Sequence, residues 1–342
     1  MKNKNAIIGS NRNIGIEILR SILCFWVVSF HCLNKKYTEH KYLSFIKLKS
    51  YHVPCFTFIS FYFTSNIFIN KNLLKIKSRF ERLLIPYLFY PISIWLINNC
   101  FFLIFGFSLF NRLITFYELY LQLIFGYQFL MIFWFLFSTI IITIIFILFS
   151  YLFKKYFIYM VQIFGVLIIF LQYSKMENYL YNFQEKIRKP LNNTLNQLPL
   201  AIAGFYFSSL NLVKNLKNYE YASFIPVIHF LTIIIFFKYQ VFIGMSDFSG
   251  IENILAAIIL FYGFYLLPLD NTNPKIKNII RNTTNYTQGI YCLHIIIGIY
   301  VSLTINKQRN LFGAIITYII SYIISFCLMK ICRKTKLKYL FI

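Results

Sequence analysis

Acidic side chains are scarce in this chain: its 342 residues hold 10 Asp and Glu against 34 Lys and Arg, and the aspartates are Asp247 and Asp270 alone. With no Asp-rich cluster, the sequence offers no metal motif of the carboxylate type. The seven cysteines include no Cys-x-x-Cys pair and no His/Cys metal spacing, so neither a zinc site nor a disulfide framework is encoded, and no metal is expected. Also missing are a glycine-rich nucleotide loop, a Gly-x-Ser-x-Gly elbow and a His-Glu-x-x-His pair. Their absence disfavours ATP-driven transport and metal-assisted hydrolysis. No Pro, Gly or Ser tract divides the chain, and no repeat argues for an inverted duplication. No small-residue cleavage site follows the basic stretch with Lys2, Lys4 and Arg12, so the first apolar run is expected to be an uncleaved span.

What fills the chain is apolar surface. Hydrophobic residues make up 59%, charged residues 13%, and the mean hydropathy is +0.65. Apolar runs of membrane-spanning length recur from end to end, which predicts an all-α integral membrane protein, a polytopic bundle of about ten transmembrane helices, partnered by the lipid bilayer. The expected spans are 14–33, 53–70, 83–105, 129–152, 156–173, 196–212, 221–240, 251–268, 285–304 and 311–330. Segment 113–128, with Arg112 just before it and Glu118 and Gln122 within it, reads as an interfacial or re-entrant piece, while 174–195 is the longest polar connection. Residues 1–342 are expected to form one transmembrane domain with no appended soluble domain. The abundant Phe, Tyr, Ile, Lys and Asn fit a base-composition bias, which accounts for part of the net charge of +24. That charge is scattered over short loops, a poor pattern for nucleic acid. More basic residues fall on the side of the termini than on the other, which predicts cytoplasmic termini. The basic tail 330–338 suits an anionic leaflet surface.

The first polar constellation lies in the first span. The apolar run 22–33 is too short to cross, because a bilayer needs ~20 residues. The helix must therefore begin near Ile14, which draws Glu17 and Arg20 into it. Eleven residues make three turns and a little more, so Arg20 and His31 share a face about 16 Å apart. Glu17 is spaced to pair with Arg20. Charged groups at a helix centre cost roughly 2.5–3.5 kcal/mol each, so such a stripe points to a polar cavity inside a bundle. There a neutral imidazole can take a proton from a hydroxyl. The plainer alternative is that Arg20 snorkels to one surface and His31 faces headgroups at the other.

A second constellation is Arg79-Phe80-Glu81-Arg82, at the end of a run with Lys71, Lys75 and Lys77. Arg79 and Arg82 stand one helical turn apart, so their guanidinium forks can converge on an anion such as the nucleotide end of coenzyme A. An ordinary basic cluster marking the cytoplasmic side is the alternative. The third is Gly289-Ile290-Tyr291-Cys292-Leu293-His294, which puts Tyr291 and His294 on one face; His294 is as consistent with a structural as with a functional role. His229 reads as structural, and His40 and His52 as loop histidines.

Taken in order, these elements resemble the membrane-bound acyltransferase-3 family, whose members O-acylate surface carbohydrates. The resemblance rests on Asn13-Ile14-Gly15-Ile16-Glu17-Ile18-Leu19-Arg20 followed by His31, and on Arg79 and Arg82 as an Arg-x-x-Arg pair. His52-Val53-Pro54-Cys55-Phe56-Thr57-Phe58-Ile59-Ser60 looks like the family's second span, Phe133-Trp134-Phe135-Leu136 like part of its fourth, and Gly289 to His294 like its late Tyr-x-x-His element. The chain departs from the pattern with Glu17 in place of an aspartate, Phe61 in place of a glycine, and Ile132-Phe133 where a histidine commonly precedes the tryptophan. The resemblance implies an acetyl-CoA-dependent O-acetyltransferase in a bacterial cell membrane, acting on a sugar hydroxyl of a surface polysaccharide or its lipid-linked precursor. It implies His31 as catalytic base with Glu17 and Arg20 orienting the site, Arg79 and Arg82 holding the acyl-CoA phosphates, and Tyr291 and His294 lining the cavity. Some members carry a soluble esterase-like domain, so either this chain transfers the acyl group alone or a separate partner completes the transfer. The rival class is a polysaccharide or small-solute transporter with the polar stripe lining its path.

Overall fold

The computed structural model describes residues 13–32, 52–106, 110, 112–126, 129–130, 133–173, 185–209, 251–267, 269, 272–304 and 311–340. These residues are helical, with no strand among them. The expected span 221–240, with His229, and the loop with His40 lie outside the described residues.

Helix α1 (Ile14–Cys32) begins where the span-length argument requires. Asn13 starts it: its Oδ1 accepts from the Ile16 amide at 3.0 Å, satisfying one of the orphan donors of a helix N-terminus. Its Nδ2 donates to the Tyr265 carbonyl at 2.8 Å and so pins α1 to a distant part of the chain. Helix α2 (His52–Ile69) tolerates Pro54 because it falls in the first turn.

Helix α3 (Leu73–Phe105) is longer than its predicted span, for it starts ten residues before 83 and takes the basic run from Lys75 to Arg82 into its first turns. At 33 residues it is about 50 Å long, more than the ~30 Å hydrocarbon core needs. Its surplus is the polar stretch that holds Arg79 and Arg82. Farther along, Leu88, Phe89, Ile92, Leu96, Phe101 and Leu103 are exposed. An apolar face of this extent, unpartnered by protein, is the face a lipid-embedded helix presents.

Helix α4 (Phe116–Phe125) answers the question of segment 113–128. Ten residues rise only about 15 Å, too little for a crossing. A capping box between Thr115 and Glu118 opens it and Gly126, at φ 65°, closes it. The segment is tied down by side chains that stand in for backbone partners. Asn99 donates to the Ile114 carbonyl and accepts from its amide at 2.8 and 2.9 Å. Buried Gln122 does the same with Leu130.

Helices α5 (Trp134–Phe153) and α6 (Phe157–Tyr173) belong to one apolar stretch that turns back on itself at Lys154, φ 43°. The rings of Phe149 and Phe164 meet at 5.0 Å, which fixes the hairpin. Helix α7 (Glu185–Ser209) corrects the reading of 174–195 as a connection, since its second half is helix with Thr194 buried. Helix α8 (Ile251–Tyr265) packs on α1 and α2. The connection between the expected spans 251–268 and 285–304 instead holds helix α9 (Pro274–Thr284), started by the Asn273 cap with proline in its first turn. Helices α10 (Thr287–Thr304) and α11 (Leu311–Cys332) follow, and a 3-10 turn, Lys336–Leu340, closes the described chain.

Five described helical stretches are long and apolar enough to cross a membrane: Ile14–Cys32, His52–Ile69, Leu73–Phe105, Trp134–Ile168 and Leu311–Cys332. Helix α1 stands among α2, α8, α9, α10 and α11. On one side Ile16, Leu19 and Leu23 pack with Phe58, Ala257 and Phe261; on the other Cys24 and Val28 pack with Tyr286 and Ile290. Close approach is built in at glycine. A Cβ at Gly15 would collide with the Phe264 carbonyl, and one at Gly204 with that of Phe58.

Outside the spans, Arg112 donates twice to Glu118, at 2.7 and 3.0 Å. This bidentate pair, helped by the Thr115 amide, pulls the Glu118 carboxyl down to about 2. A depressed carboxyl contributes stability that is complete above its unfolded value, near 4.5, and fades as the pH falls towards 2. Amide exchange across 112–118 is therefore expected to quicken as the pH falls through that window, once the intrinsic pH dependence is divided out. A Glu118→Gln variant is expected to lose that acid sensitivity.

Candidate active site

Glu17 and Arg20 meet as their spacing predicted, with Arg20 Nη1 3.5 Å from Glu17 Oε2. The carboxylate is buried, and the arginine side chain keeps 31% of its exposure. Arg20 also donates through Nη2 to Thr287 Oγ1 at 3.2 Å, and the Cys24 thiol donates to the Thr287 carbonyl at 3.5 Å. These contacts join the start of α10 to α1. Farther along, the rings of His31 and His294 lie 5.3 Å apart, and a Cβ on Gly298 would stand 3.0 Å from Cys32 Sγ. Contacts advance together along both helices, so α1 and α10 run parallel.

His31 is exposed, with its ring edge on Phe30 at 5.3 Å. His294 is fully buried; its Nδ1 is 2.6 Å from the Tyr291 carbonyl, and its Nε2 has no hydrogen-bond partner among the described residues. His52 corrects the expectation of a loop histidine. It is the first residue of α2, buried between Trp26 and Phe30 with ring separations of 6.1 and 5.7 Å. It lies within electrostatic reach of both His31 and His294, and its Nδ1 is also unpartnered. Three imidazoles thus converge from α1, α2 and α10, two of them with an orphaned nitrogen. Among the described residues no group of three or more His, Cys, Asp or Glu side chains is arranged to hold a metal. The rings of Tyr291 and His294 are 5.9 Å apart, which puts the late Tyr-x-x-His element beside His31.

The two arginines of α3 do not meet. Arg79 turns inward, 5% exposed, and donates from Nε to Thr143 Oγ1 and from Nη2 to Ser60 Oγ, each at 3.1 Å. Its guanidinium also lies over the Phe61 ring at 4.8 Å, so the phenylalanine that departs from the family pattern becomes a surface for the arginine. No carboxylate pairs with Arg79 among the described residues. Arg82 is exposed and donates to the Ser78 carbonyl within its own turn.

Around Arg82 the start of α10 and the C-terminal turn meet. Gln288, one residue into α10, donates to the Arg82 carbonyl at 2.8 Å, and Lys336 pairs with Glu81 at 2.7 Å. The Glu81 carboxylate holds the Lys336 ammonium above its ordinary range. The starts of α1, α3 and α10 and the C-terminal turn therefore lie at one end of the bundle, with His31 and His52 towards the other. Between them runs a buried polar tract that sequence reasoning missed: Thr57 donates to Gln197, and Ser138 bonds Thr194 at 2.9 Å. Gln197 keeps an unpartnered Nε2. Single Ser, Thr and Gln residues in apolar helices carry no spacing signal. Thr287-Gln288, a polar pair opening an apolar run, was the one legible hint.

A family model described as an acyltransferase domain matches residues 13–332. Neither a curated protein nor a solved structure matches the chain.

The ion pair of α1 gives a stability test. Arg20→Ala leaves a buried carboxylate without its cation, a change that costs up to ~3–5 kcal/mol for a fully buried pair and less here, where the arginine is partly exposed. The double variant Glu17→Gln/Arg20→Ala is expected to melt at a higher temperature than Arg20→Ala alone in detergent. Equal midpoints would mean that the pair contributes nothing.

Proposed function

The chain belongs to the acyltransferase-3 family, and from that premise we propose that it is an integral-membrane O-acetyltransferase. In this reading acetyl-CoA is the donor, and the acceptor is a sugar hydroxyl of a surface polysaccharide or its lipid-linked precursor. The termini and the basic end of the bundle face the cytoplasm of a bacterial cell, where acyl-CoA is found.

The observation that carries the donor assignment is Arg79. A buried guanidinium held by two neutral hydroxyls and an aromatic face has no counter-charge among the described residues. Buried charges are paired as a rule, and an anionic ligand supplies the missing partner. Lys75, Lys77 and Arg82 lie on the first turns of the same helix, and Lys336 and Lys338 reach Glu81 beside them, a basic cluster that favours a polyphosphate over a single carboxylate. From Ser60, beside Arg79, to His52, beside the other imidazoles, α2 climbs eight residues, about 12 Å. A donor anchored at its phosphates and extended along this helix brings its thioester towards His31. There His31 removes the proton from the acceptor hydroxyl, the oxygen attacks the thioester carbonyl, and CoA leaves as the thiol. Glu17 and Arg20 hold α1 and α10 in the register this requires.

Calorimetric titration of the purified protein with acetyl-CoA tests the donor site. Arg79→Met is expected to abolish measurable binding without lowering the thermal midpoint, because removing an unpaired buried charge does not destabilise a bundle. Arg79→Lys is expected to rescue binding poorly, lacking the planar fork. Arg82→Ala should weaken binding less. Unchanged acetyl-CoA affinity in Arg79→Met would remove the basis of the assignment.

A further inference from the structure

His294 is more than a lining residue. Its Nδ1 faces a backbone carbonyl at 2.6 Å, and a carbonyl can only accept, so Nδ1 carries the proton. The neutral ring must then present Nε2 as a bare acceptor. That atom is buried and has no hydrogen-bond partner among the described residues, an arrangement that costs free energy unless something occupies it in use. The neighbour in position to do so is His31, whose ring lies 5.3 Å away at a 44° tilt and makes no hydrogen bond of its own among the described residues. At that separation a modest ring rotation brings one nitrogen of His31 into hydrogen-bond range of His294 Nε2.

We propose that His31 and His294 form a proton-relay dyad, with His294 as the positioning residue that takes the proton arriving on His31. The proposal rests on the acyltransferase reading above. In the relay the acceptor hydroxyl gives its proton to the free nitrogen of His31, and His31 passes the proton on its other nitrogen to His294 Nε2. His294 becomes the imidazolium, still bonded through Nδ1 to Tyr291, and His31 is neutral again. The hydroxyl oxygen forms its bond to the acyl carbon, the carbon–sulfur bond breaks, and the departing thiolate receives one proton back along the same path. Protons and electrons balance with no further reactant. The charge comes to rest on a ring turned away from the open face, which keeps the cation clear of the attacking oxygen. The titratable groups facing His294 are His31 from α1, His52 from α2 and Tyr291 on its own helix. His52 is too enclosed by Trp26 and Phe30 to meet a substrate, and in this scheme it packs the dyad.

The test uses the full chain purified in detergent, with acetyl-CoA as the probe, water taking the place of the acceptor hydroxyl, and release of free CoA thiol as the readout. His294→Asn keeps an N–H where Nδ1 donates to Tyr291 and removes the Nε2 acceptor. Its kcat is expected to fall about 10²-fold, the usual scale for a proton-transfer group, with the KM for acetyl-CoA and the thermal midpoint unchanged. The dependence of kcat on pH is expected to follow a single ionisation in the variant and a coupled pair in the wild type. An unaltered kcat with an unaltered pH profile would overturn the relay. So would a loss of rate that accompanies a lowered midpoint in His294→Asn and in the packing control His294→Phe alike. A wild-type protein that releases no CoA thiol would instead count against the acyltransferase reading itself, which the binding titration addresses separately.

Discussion

The parallel seam between α1 and α10 is the constraint on which the site depends. Both helices rise about 1.5 Å per residue, so one fixed contact sets all the others. The bond from Cys24 to the Thr287 carbonyl, the His31 and His294 rings, and the close approach of Cys32 to Gly298 are three readings of one register. A slip of a single turn, about 5.4 Å, would carry His294 away from His31 and take Thr287 from Arg20. The Glu17–Arg20 pair lies at the foot of this seam, where a charge pair can tie two helices together without itself reaching a reacting atom.

The two ends of the bundle are built differently. One gathers the starts of α1, α3 and α10 with the C-terminal turn, and it is basic and accessible. The other gathers three imidazoles, two of which keep a nitrogen with no hydrogen-bond partner among the described residues. Helix α2 links them, with His52 at its first residue and Ser60 two turns on, against Arg79. In the proposed reaction this axial separation lets the anionic part of a donor stay near the cytoplasmic surface while the acyl carbon lies deep in the bundle. The polar tract through Thr57, Gln197, Ser138 and Thr194 keeps hydrogen-bonding groups along that depth, where an unsatisfied one is expensive.

Much of this was legible in the sequence. The start of α1 near Ile14 followed from span length, and the Glu17–Arg20 pair from i, i+3 spacing, because both depend only on the helix they occupy. The proximity of His294 to His31 was reachable only through the family resemblance, since it depends on the packing of two helices far apart in sequence. The contrasting fates of Arg79 and Arg82 were not legible. Both lie in one basic run, and the 60° between them on the helix decides which one meets Thr143 and Ser60. His52 was read as a loop residue because it follows a polar stretch; only the placement of α2 against Trp26 and Phe30 buries it. Helix α9 was taken for a loop because its polar sequence gives no apolar run, although its Asn-Pro start is a capping signal.

The central claim is that His31 acts on a proton at the acceptor hydroxyl, and it is tested most directly by replacing His31 with Gln. Glutamine approximates the size and hydrogen bonding of the imidazole but cannot take up the proton. Incorporation of labelled acetate into cell-surface carbohydrate, measured at equal membrane abundance, is predicted to fall by ~10²–10⁴-fold in His31→Gln. Incorporation at the wild-type rate would make His31 a structural residue and contradict the mechanism.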